Sequence, residues 1–267
     1  MWSILIPSNP DDQDTLIATL WEQGTSGIIE EPIGLRAFFE DAIAPAQLQF
    51  LNGEFRRESI GPPVFRRENW DPILIGERFF IAPPWLDSAV PPGRFRLNMD
   101  AASAFGTGRH ETTQLCLRAL EKHLKPGDCV LDIGCGSGIL SAAARLLNAG
   151  PIFSCDIHED AMQSARHHIQ SPLFLGSADA VRPAIADLVL ANISARIVDH
   201  IAADLKRILK PAGLLILSGF IADNPPKHFQ PIEETVQGDW LCWICRREDI
   251  QPAAVVDPNT HSQDWWL

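Results

Sequence analysis

Three glycines at alternate positions follow a short apolar run near the middle of the chain. Residues 129–138 read Cys-Val-Leu-Asp-Ile-Gly-Cys-Gly-Ser-Gly, and the glycines are Gly134, Gly136 and Gly138. The apolar run predicts a buried strand, and the alanine-rich stretch 139–148 predicts a helix after the glycines. A strand, a glycine turn and a helix are typical of α/β proteins in which the backbone approaches a nucleotide-like ligand closely.

Asp132, just before the first of these glycines, distinguishes two classes of ligand. The pyrophosphate of a dinucleotide binds backbone N–H groups at a helix N-terminus, and a carboxylate in that place would repel it. S-adenosylmethionine has no phosphate and carries a sulfonium and an ammonium group, which a carboxylate attracts. The spacing G-x-G-x-G also differs from the G-x-G-x-x-G of dinucleotide sites. We therefore predict a site for S-adenosylmethionine, with a dinucleotide site as the alternative.

The composition is that of a globular protein. The chain has 267 residues, of which 46% are hydrophobic and 21% charged, enough for one large or two modest domains. The formal net charge of -12 argues against direct binding of nucleic acid, because phosphate binding relies on clustered Lys and Arg. The same charge could steer a basic protein substrate or serve solubility alone, and both interpretations stay open.

The six cysteines predict neither disulfides nor a metal site. Cys242 and Cys245 form a C-x-x-C in an apparent strand, where they point to opposite faces, and no second ligand pair follows in the sequence. We interpret all six as reduced structural residues of a cytoplasmic protein. The N-terminal residues lack a signal-peptide pattern and no apolar run has membrane-spanning length, so we expect no membrane association. We also expect a monomer.

The first 55 residues alternate between short strands and a helix. We predict strands over 2–6, 26–31 and 35–40 and a helix over 11–21. This order predicts a small α+β domain of ferredoxin-like character over residues 1–55. Residues 56–95 are predicted to be a Pro-rich linker with one strand over 78–82, because closely spaced prolines stiffen a segment and prevent a long helix.

The remainder of the chain alternates strand and helix patterns. Residues 96–249 predict an α/β domain, a twisted sheet with helices on both faces, whose last strand lies near residues 240–246. Residues 250–267 show no periodicity and are predicted to be an irregular tail.

Five segments in this part occur in a characteristic order. They are residues 104–113, 132–138, 154–157, 187–193 and 214–219. The series resembles the PrmA family, the methyltransferases of large-subunit ribosomal protein eleven. The first segment, Ala-Phe-Gly-Thr-Gly-Arg-His-Glu-Thr-Thr, separates this family from other methyltransferases. The resemblance implies a Rossmann-like class I S-adenosylmethionine-dependent methyltransferase domain, with the small ferredoxin-like domain before it.

The resemblance and the positions of the motifs together indicate which residues bind the cofactor. They are Phe105, Gly106, Thr113, Asp132, Gly134, Gly136, Asp156, Asp179 and Asn192. Asp156 follows the second strand, where a carboxylate accepts hydrogen bonds from ribose hydroxyls, although a turn residue is the alternative. Asp179 follows the third strand, where it either accepts the adenine amino group or is a solvated loop residue.

Asn192, at the end of the fourth strand, is the predicted catalytic residue. Its side-chain carbonyl can accept a hydrogen bond from an attacking amine and aim the nitrogen lone pair at the methyl carbon. The resemblance implies methylation of lysine side chains and of the N-terminal amine of the ribosomal protein, which the N-terminal domain would hold. No residue is an obvious base, and His110 is a candidate for substrate contact or a structural loop residue.

Three features depart from the family pattern, and one of them is the run Asn224-Pro225-Pro226, which interrupts the chain where a longer helix is expected. Residues 100–102 read Asp-Ala-Ala where the family has Asp-Pro-Gly, and the N-terminal domain is abbreviated. These departures leave open a related methyltransferase that modifies lysines of another protein, such as an electron-transfer flavoprotein subunit. Two readings from other classes also remain, a dinucleotide-dependent oxidoreductase and a donor-binding module without activity.

Overall fold

The chain folds into two units, Met1–Arg66 and Arg67–Leu267. The computed structural model describes residues 2–7, 16, 20, 25, 27–31, 34–39, 51, 55–59, 71–99 and 108–251. Most of the helix predicted over 11–21 lies outside the described residues, as do Phe105, Gly106 and the tail beyond residue 251.

The first unit is built on a four-stranded antiparallel sheet. Its strands are β1 Trp2–Pro7, β2 Gly27–Glu31, β3 Gly34–Phe39 and β4 Arg56–Ser59, in the order β2-β3-β1-β4. Ile4 and Ile6 pair in register with Ala37 and Leu35, so their side chains share one face. The helical residue Leu20 is fully buried in the same apolar cluster. This is the predicted ferredoxin-like arrangement.

A three-stranded sheet occupies residues 71–99 of the second unit. Its strands are β5 Ile73–Ile75, β6 Phe79–Ala82 and β7 Phe95–Asn98, in that spatial order. Ile75, Phe79 and Leu97 are buried in one core with residues of the large sheet's helices. The range 56–95, predicted to be a linker with one strand over 78–82, contains that strand as β6, and it also contains β4 of the first sheet, β5 and the first residue of β7.

Arg96 holds the proline-rich connection between β6 and β7. Its guanidinium donates to the carbonyl oxygens of Pro83, Leu86 and Ser88 at 2.9, 2.7 and 3.1 Å. Prolines have no backbone N–H, so such a segment cannot form a regular ladder, and its buried carbonyls need other donors. The long side chain of Arg96 supplies those donors, which explains how a segment rich in proline becomes ordered.

A seven-stranded sheet forms the centre of the second unit. Its strands are β8 Val130–Ile133, β9 Ile152–Asp156, β10 Leu173–Leu175, β11 Ala186–Asn192, β12 Leu209–Ile221, β13 Glu233–Gln237 and β14 Trp240–Arg246. Their order is β10-β9-β8-β11-β12-β14-β13; the first five are parallel, and β14 is antiparallel to both neighbours.

Among the described residues of the second unit, five α-helices accompany this sheet. They are α1 Glu111–His123, α2 Ile139–Leu146, α3 Glu159–Arg166, α4 Ala195–His200 and α5 Ala202–Ile208. Within the ranges given above, the longest helix is α1 with 13 residues, and no described helix has the length and apolar character needed to cross a bilayer.

Alternate residues of the central strands face opposite sides of the sheet. Leu188 and Leu190 of β11 belong to an apolar cluster with α1 and α2, whereas Val189 and Ala191 belong to a second cluster with α4 and α5. Helices therefore cover both faces, as the sequence predicts, and both faces of the central strands are buried.

The six cysteines are free and buried. Cys242 lies in the first apolar cluster and Cys245 in the second. The prediction that this C-x-x-C pair points to opposite faces is confirmed. Burial raises the pKa of Cys245 to about 12, so its thiol stays neutral at physiological pH.

The strand order reverses between β8 and β11. From β8 the chain moves to β9 and β10 on one side, and then crosses to β11 on the other side of β8. In open α/β sheets ligands bind beyond the carboxyl ends of the strands at such a switch point.

Candidate active site

An open cavity of about 1310 Å³ lies at this switch point. Its walls come from the ends of β8, β9 and β11, from α3 and α4, and from Pro84 and Asn98 beside the three-stranded sheet. The volume exceeds the roughly 300–1,000 Å³ of a typical small-molecule pocket, and the cavity is partly open to solvent. Among the described residues, the lining includes the carboxylates of Asp156 and Asp160 but no lysine or arginine. This electrostatic setting suits a cationic ligand better than a phosphate.

The nine predicted cofactor residues divide into three groups. Those that line the cavity are Gly134, Gly136, Asp156 and Asn192. Those described by the structure but absent from the lining are Thr113, Asp132 and Asp179. Phe105 and Gly106 lie outside the described residues.

The glycine turn after β8 is held against the end of β9. The backbone N–H groups of Gly134 and Cys135 donate to the carbonyl oxygen of Cys155 at 2.9 and 3.0 Å. Gly134 has a φ of +71°, and a Cβ added there would lie 2.6 Å from Cγ2 of Ile193. Glycine is therefore required at this position by both its backbone conformation and its neighbour.

The carboxylate of Asp156 is fixed at the centre of the cavity wall. One oxygen accepts from the N–H of Gly136 and the other from the N–H of His158, both at 3.0 Å. The residue is 7% exposed. Each carboxylate oxygen has a further lone pair that can accept a hydrogen bond from a ligand, so Asp156 can link the glycine turn to a hydroxyl-bearing ligand.

Asp132 differs from the sequence-based expectation. Its side chain is 1% exposed, and its Oδ2 accepts from Oγ and N of Ser141 at 2.6 and 3.2 Å. The Oγ of Ser141 is also hydrogen-bonded to Oγ of Ser154 at 2.7 Å. Strand alternation turns Asp132 toward α2, so its carboxylate braces the helix behind the glycine turn and does not line the cavity.

Burial raises the pKa of Asp132 from 3.8 to about 6, and the hydrogen bonds from Ser141 oppose this rise. Between about pH 4 and pH 6 the folded protein retains a proton that the unfolded chain has released. The stability that Asp132 contributes is therefore full below pH 4 and is lost as the pH rises through 6.

Substitution of Asp132 by asparagine is expected to remove this dependence. The free energy of unfolding of the wild type, relative to D132N, should fall by at most about 3 kcal/mol between pH 4 and pH 7. Urea unfolding at several pH values measures this difference. The control is Asp187→Asn. Burial raises the pKa of Asp187, but the hydrogen bonds from Lys210 and from the backbone N–H of Cys129, together with the charge of Lys210, outweigh burial and lower this pKa. A D132N difference that does not change with pH would contradict the prediction.

Asn192 is the last residue of β11 and lines the cavity. Leu190 pairs with Asp132 of β8, so Asn192 lies level with Gly134 at the end of the neighbouring strand. Its Nδ2 donates a long hydrogen bond of 3.5 Å to Oγ1 of Thr113, which is buried on α1. The side-chain carbonyl oxygen of Asn192 can in turn accept a hydrogen bond.

His110 is the cap residue before helix α1, which starts at Glu111. Its Nδ1 accepts from the backbone N–H of Thr112 at 3.3 Å, as a helix cap does, so neither Thr112 nor Thr113 is the cap. The imidazole also packs edge-on against Trp240 at a centroid distance of 4.7 Å. These contacts support the structural interpretation of His110.

An apolar wall next to Asn192 was not predicted. Ile193, Ile197 and Ile201 line the cavity from the start of α4 to its end. Their spacing of four residues, directly after the polar end of a strand, is the sequence signal that could have revealed a ligand-facing helix side.

Asp179 lies beyond the end of β10, in the short 3-10 helix Ala178–Ala180. Its side chain is exposed. The preceding residues Gly176 and Ser177 line the cavity. Burial is the main cause of the raised pKa of Cys155 at the end of β9, and the negative charge of Asp179 makes a smaller contribution to the same rise.

The family model described as ribosomal protein L11 methyltransferase (PrmA) matches residues 65–248. The chain belongs to this family. Proteins named ribosomal protein L11 methyltransferase from Paraburkholderia xenovorans and Burkholderia ambifaria are 38% and 41% identical to it over 186 residues. Each match covers 67% of this chain and 62% of the relative. The PrmA resemblance and the methyltransferase fold predicted from the sequence are confirmed.

A solved structure of this family has the same fold. The ribosomal protein L11 methylase from Lactobacillus delbrueckii subsp. bulgaricus superimposes with a TM-score of 0.59 and is 29% identical. The superposition covers 66% of this chain and 99% of that one. The chain thus belongs to the PrmA family and spans about three fifths of the length of the curated relatives that it matches.

Proposed function

We propose that this protein transfers methyl groups from S-adenosylmethionine to lysine side chains, and to the N-terminal amine, of ribosomal protein L11. The observation that carries the proposal is the position of Asn192, level with Gly134 and in the lining of a cavity shared with Asp156. Membership of the PrmA family supports both the reaction class and the substrate.

The lining fits the methyl donor. When bound, S-adenosylmethionine supplies a methyl group on a positively charged sulfur. Asp156 would accept the ribose hydroxyls, and the backbone of the turn from Gly134 to Gly136 would hold the amino-acid end. A Cβ at Gly134 would collide with Ile193, so the conformation of this turn depends on glycine at that position. The absence of lysine and arginine from the described part of the lining disfavours a diphosphate in the same place.

Asn192 is the proposed catalytic residue. Its side-chain carbonyl would accept a hydrogen bond from the substrate amine and hold the nitrogen lone pair in line for displacement. The apolar wall of Ile193, Ile197 and Ile201 would cover the four-carbon stem of a lysine, since such stems pack on apolar surface while the nitrogen stays polar. Orientation and exclusion of water supply the rate, and no covalent intermediate is needed.

The first unit is the proposed site of protein recognition. It has its own sheet and core, and the family model begins only at residue 65. We expect the enzyme to act in the cytoplasm as a monomer, without direct contact to nucleic acid, in keeping with a net charge of -12. Because residues 1–64 lie outside the family match, a related methyltransferase with another lysine-bearing protein substrate is the second candidate.

The test is methylation with a labelled donor. Purified protein is incubated with tritium-labelled S-adenosylmethionine and purified ribosomal protein L11, and mass spectrometry locates the methyl groups. We expect label on lysine ε-amines and the N-terminal amine. A parallel reaction with a ribosome-free lysate detects other substrates, and label found only there would replace the first candidate by the second. Calorimetry should detect binding of S-adenosylhomocysteine and none of NAD.

A further inference from the structure

One arginine side chain holds the turn that follows β10. Arg207 of α5 donates through Nη1 to the carbonyl oxygen of Val181. Its Nη2 donates to the carbonyl oxygens of Ala178 and Asp179 at 2.9 and 3.2 Å. Three carbonyls within four residues of chain are therefore bound by one guanidinium.

Asp204 fixes the orientation of that guanidinium. Its Oδ1 accepts from Nε and Nη2 of Arg207 at 3.0 and 2.9 Å, one helical turn earlier on α5. Both side chains are about one third exposed, so the pair is only partly desolvated. The main effect of the Asp204–Arg207 pair is on orientation, because a guanidinium that is hydrogen-bonded to a carboxylate has its other N–H groups in a fixed plane.

The side chains of Ala178 and Val181 are buried in the second apolar cluster, and Arg207 adds hydrogen bonds to the carbonyl oxygens of the same turn. The helix Ala178–Ala180 is three residues long, and such short 3-10 segments are weak on their own. Yet the residues just before it, Gly176 and Ser177, line the cavity. Asp179 is the middle residue of this short helix, two residues after Ser177. A small shift of the turn therefore changes one end of the cavity.

We propose that Arg207, which does not line the cavity, is a positioning residue for recognition of the adenine group of the donor. It keeps the carboxylate of Asp179 and the backbone of Gly176 and Ser177 in the place where the adenine amino group is bound. This inference rests on the proposed use of S-adenosylmethionine. Arg207 is not among the cofactor-binding residues that were predicted from the sequence.

The experiment compares two nucleosides in calorimetry. S-adenosylhomocysteine carries the amino group, and S-inosylhomocysteine has an oxygen in its place. We expect Arg207→Met to weaken S-adenosylhomocysteine binding by about tenfold, the ratio that corresponds to one hydrogen bond. Binding of the inosine compound should change less than threefold, so the variant discriminates less between the two compounds.

Lys206→Met is the matched control. Lys206 lies next to Arg207 on α5 and donates to the carbonyl oxygen of Ile250 at 2.6 Å, so this variant also loses a link from α5 to the backbone. It should leave both affinities unchanged. Arg207→Lys retains one donor and should recover part of the discrimination. Asp204→Asn provides a milder variant if Arg207→Met does not fold, and it should show the same selective loss.

Two outcomes would overturn the inference. In one, the Arg207 and Asp204 variants bind S-adenosylhomocysteine as tightly as the wild type does. In the other, they lose affinity for both nucleosides equally, which is the behaviour of a purely structural residue. Failure of the wild type itself to bind S-adenosylhomocysteine is a separate result, and it would refute the proposed donor.

Discussion

Asn192→Ala is expected to slow methyl transfer by about 100- to 1,000-fold, the usual loss when a group that stabilises or orients the reacting atoms is removed. Affinity for S-adenosylhomocysteine should remain within about threefold, because Asn192 is proposed to act on the amine. Single-turnover transfer of labelled methyl groups to ribosomal protein L11 measures the rate, and calorimetry measures the affinity. This pair of measurements also separates an enzyme from a donor-binding module.

A second asparagine provides the control for this variant. Asn98 also lines the cavity, but from the three-stranded sheet, and its Oδ1 accepts from Nε of Arg96 at 2.8 Å. Asn98→Ala should reduce the rate much less. Thr113→Val removes the hydroxyl that receives Nδ2 of Asn192 and should have an intermediate effect, since the amide is then free to rotate. An equal loss of rate and donor affinity in Asn192→Ala would contradict the proposed role.

Asp156→Asn is expected to weaken binding of S-adenosylhomocysteine by about 100-fold, equivalent to about 2.7 kcal/mol. The amide cannot accept hydrogen bonds on both sides, so it loses either the N–H of Gly136 or that of His158 in addition to a ribose hydroxyl. Titration calorimetry with the wild type and the variant measures the effect.

Asp160→Asn is the control for charge. Asp160 also lines the cavity, but it is exposed in the first turn of α3, and its substitution should change donor affinity by less than about threefold. A donor lacking the ribose 2′-hydroxyl tests the assigned contact. The wild type should bind it less tightly, and Asp156→Asn should not distinguish the two compounds. If Asp160→Asn causes the same loss as Asp156→Asn, the effect is one of overall charge.

The parts of the site predicted from the sequence are those whose chemistry is local. Gly134 and Gly136 directly follow the apolar strand β8, and Asn192 follows the apolar residues of strand β11. Because both positions are strand ends, the sequence alone predicted that they lie at the same edge of the sheet. Asp156 was found in the same way. The fold followed from the same alternation of buried strands and helices.

The remaining parts depend on contacts between distant residues. The orientation of the Asp132 side chain depends on Ser141 of α2, whose N–H and hydroxyl both donate to the Asp132 carboxylate on the side away from the cavity. The conformation of the proline-rich connection within residues 71–99 depends on Arg96, which lies ten or more residues from some of the carbonyl groups that it binds. The role of Arg207 depends on a turn 26 to 29 residues before it. No local pattern reports such pairs.

Strand β14 lies between β12 and the edge strand β13 in the large sheet, although β13 precedes β14 in the chain. Among the described residues, the last strand of the chain to be made is therefore an interior strand of the sheet. Until β14 has been synthesised, β12 has no partner along that side, where Leu215 and Leu217 later pair with Cys245 and Trp243. An open apolar strand edge recruits strands from other chains. A nascent chain that ends before the β13–β14 hairpin is therefore expected to expose the edge of β12 and to aggregate more readily than the full-length chain.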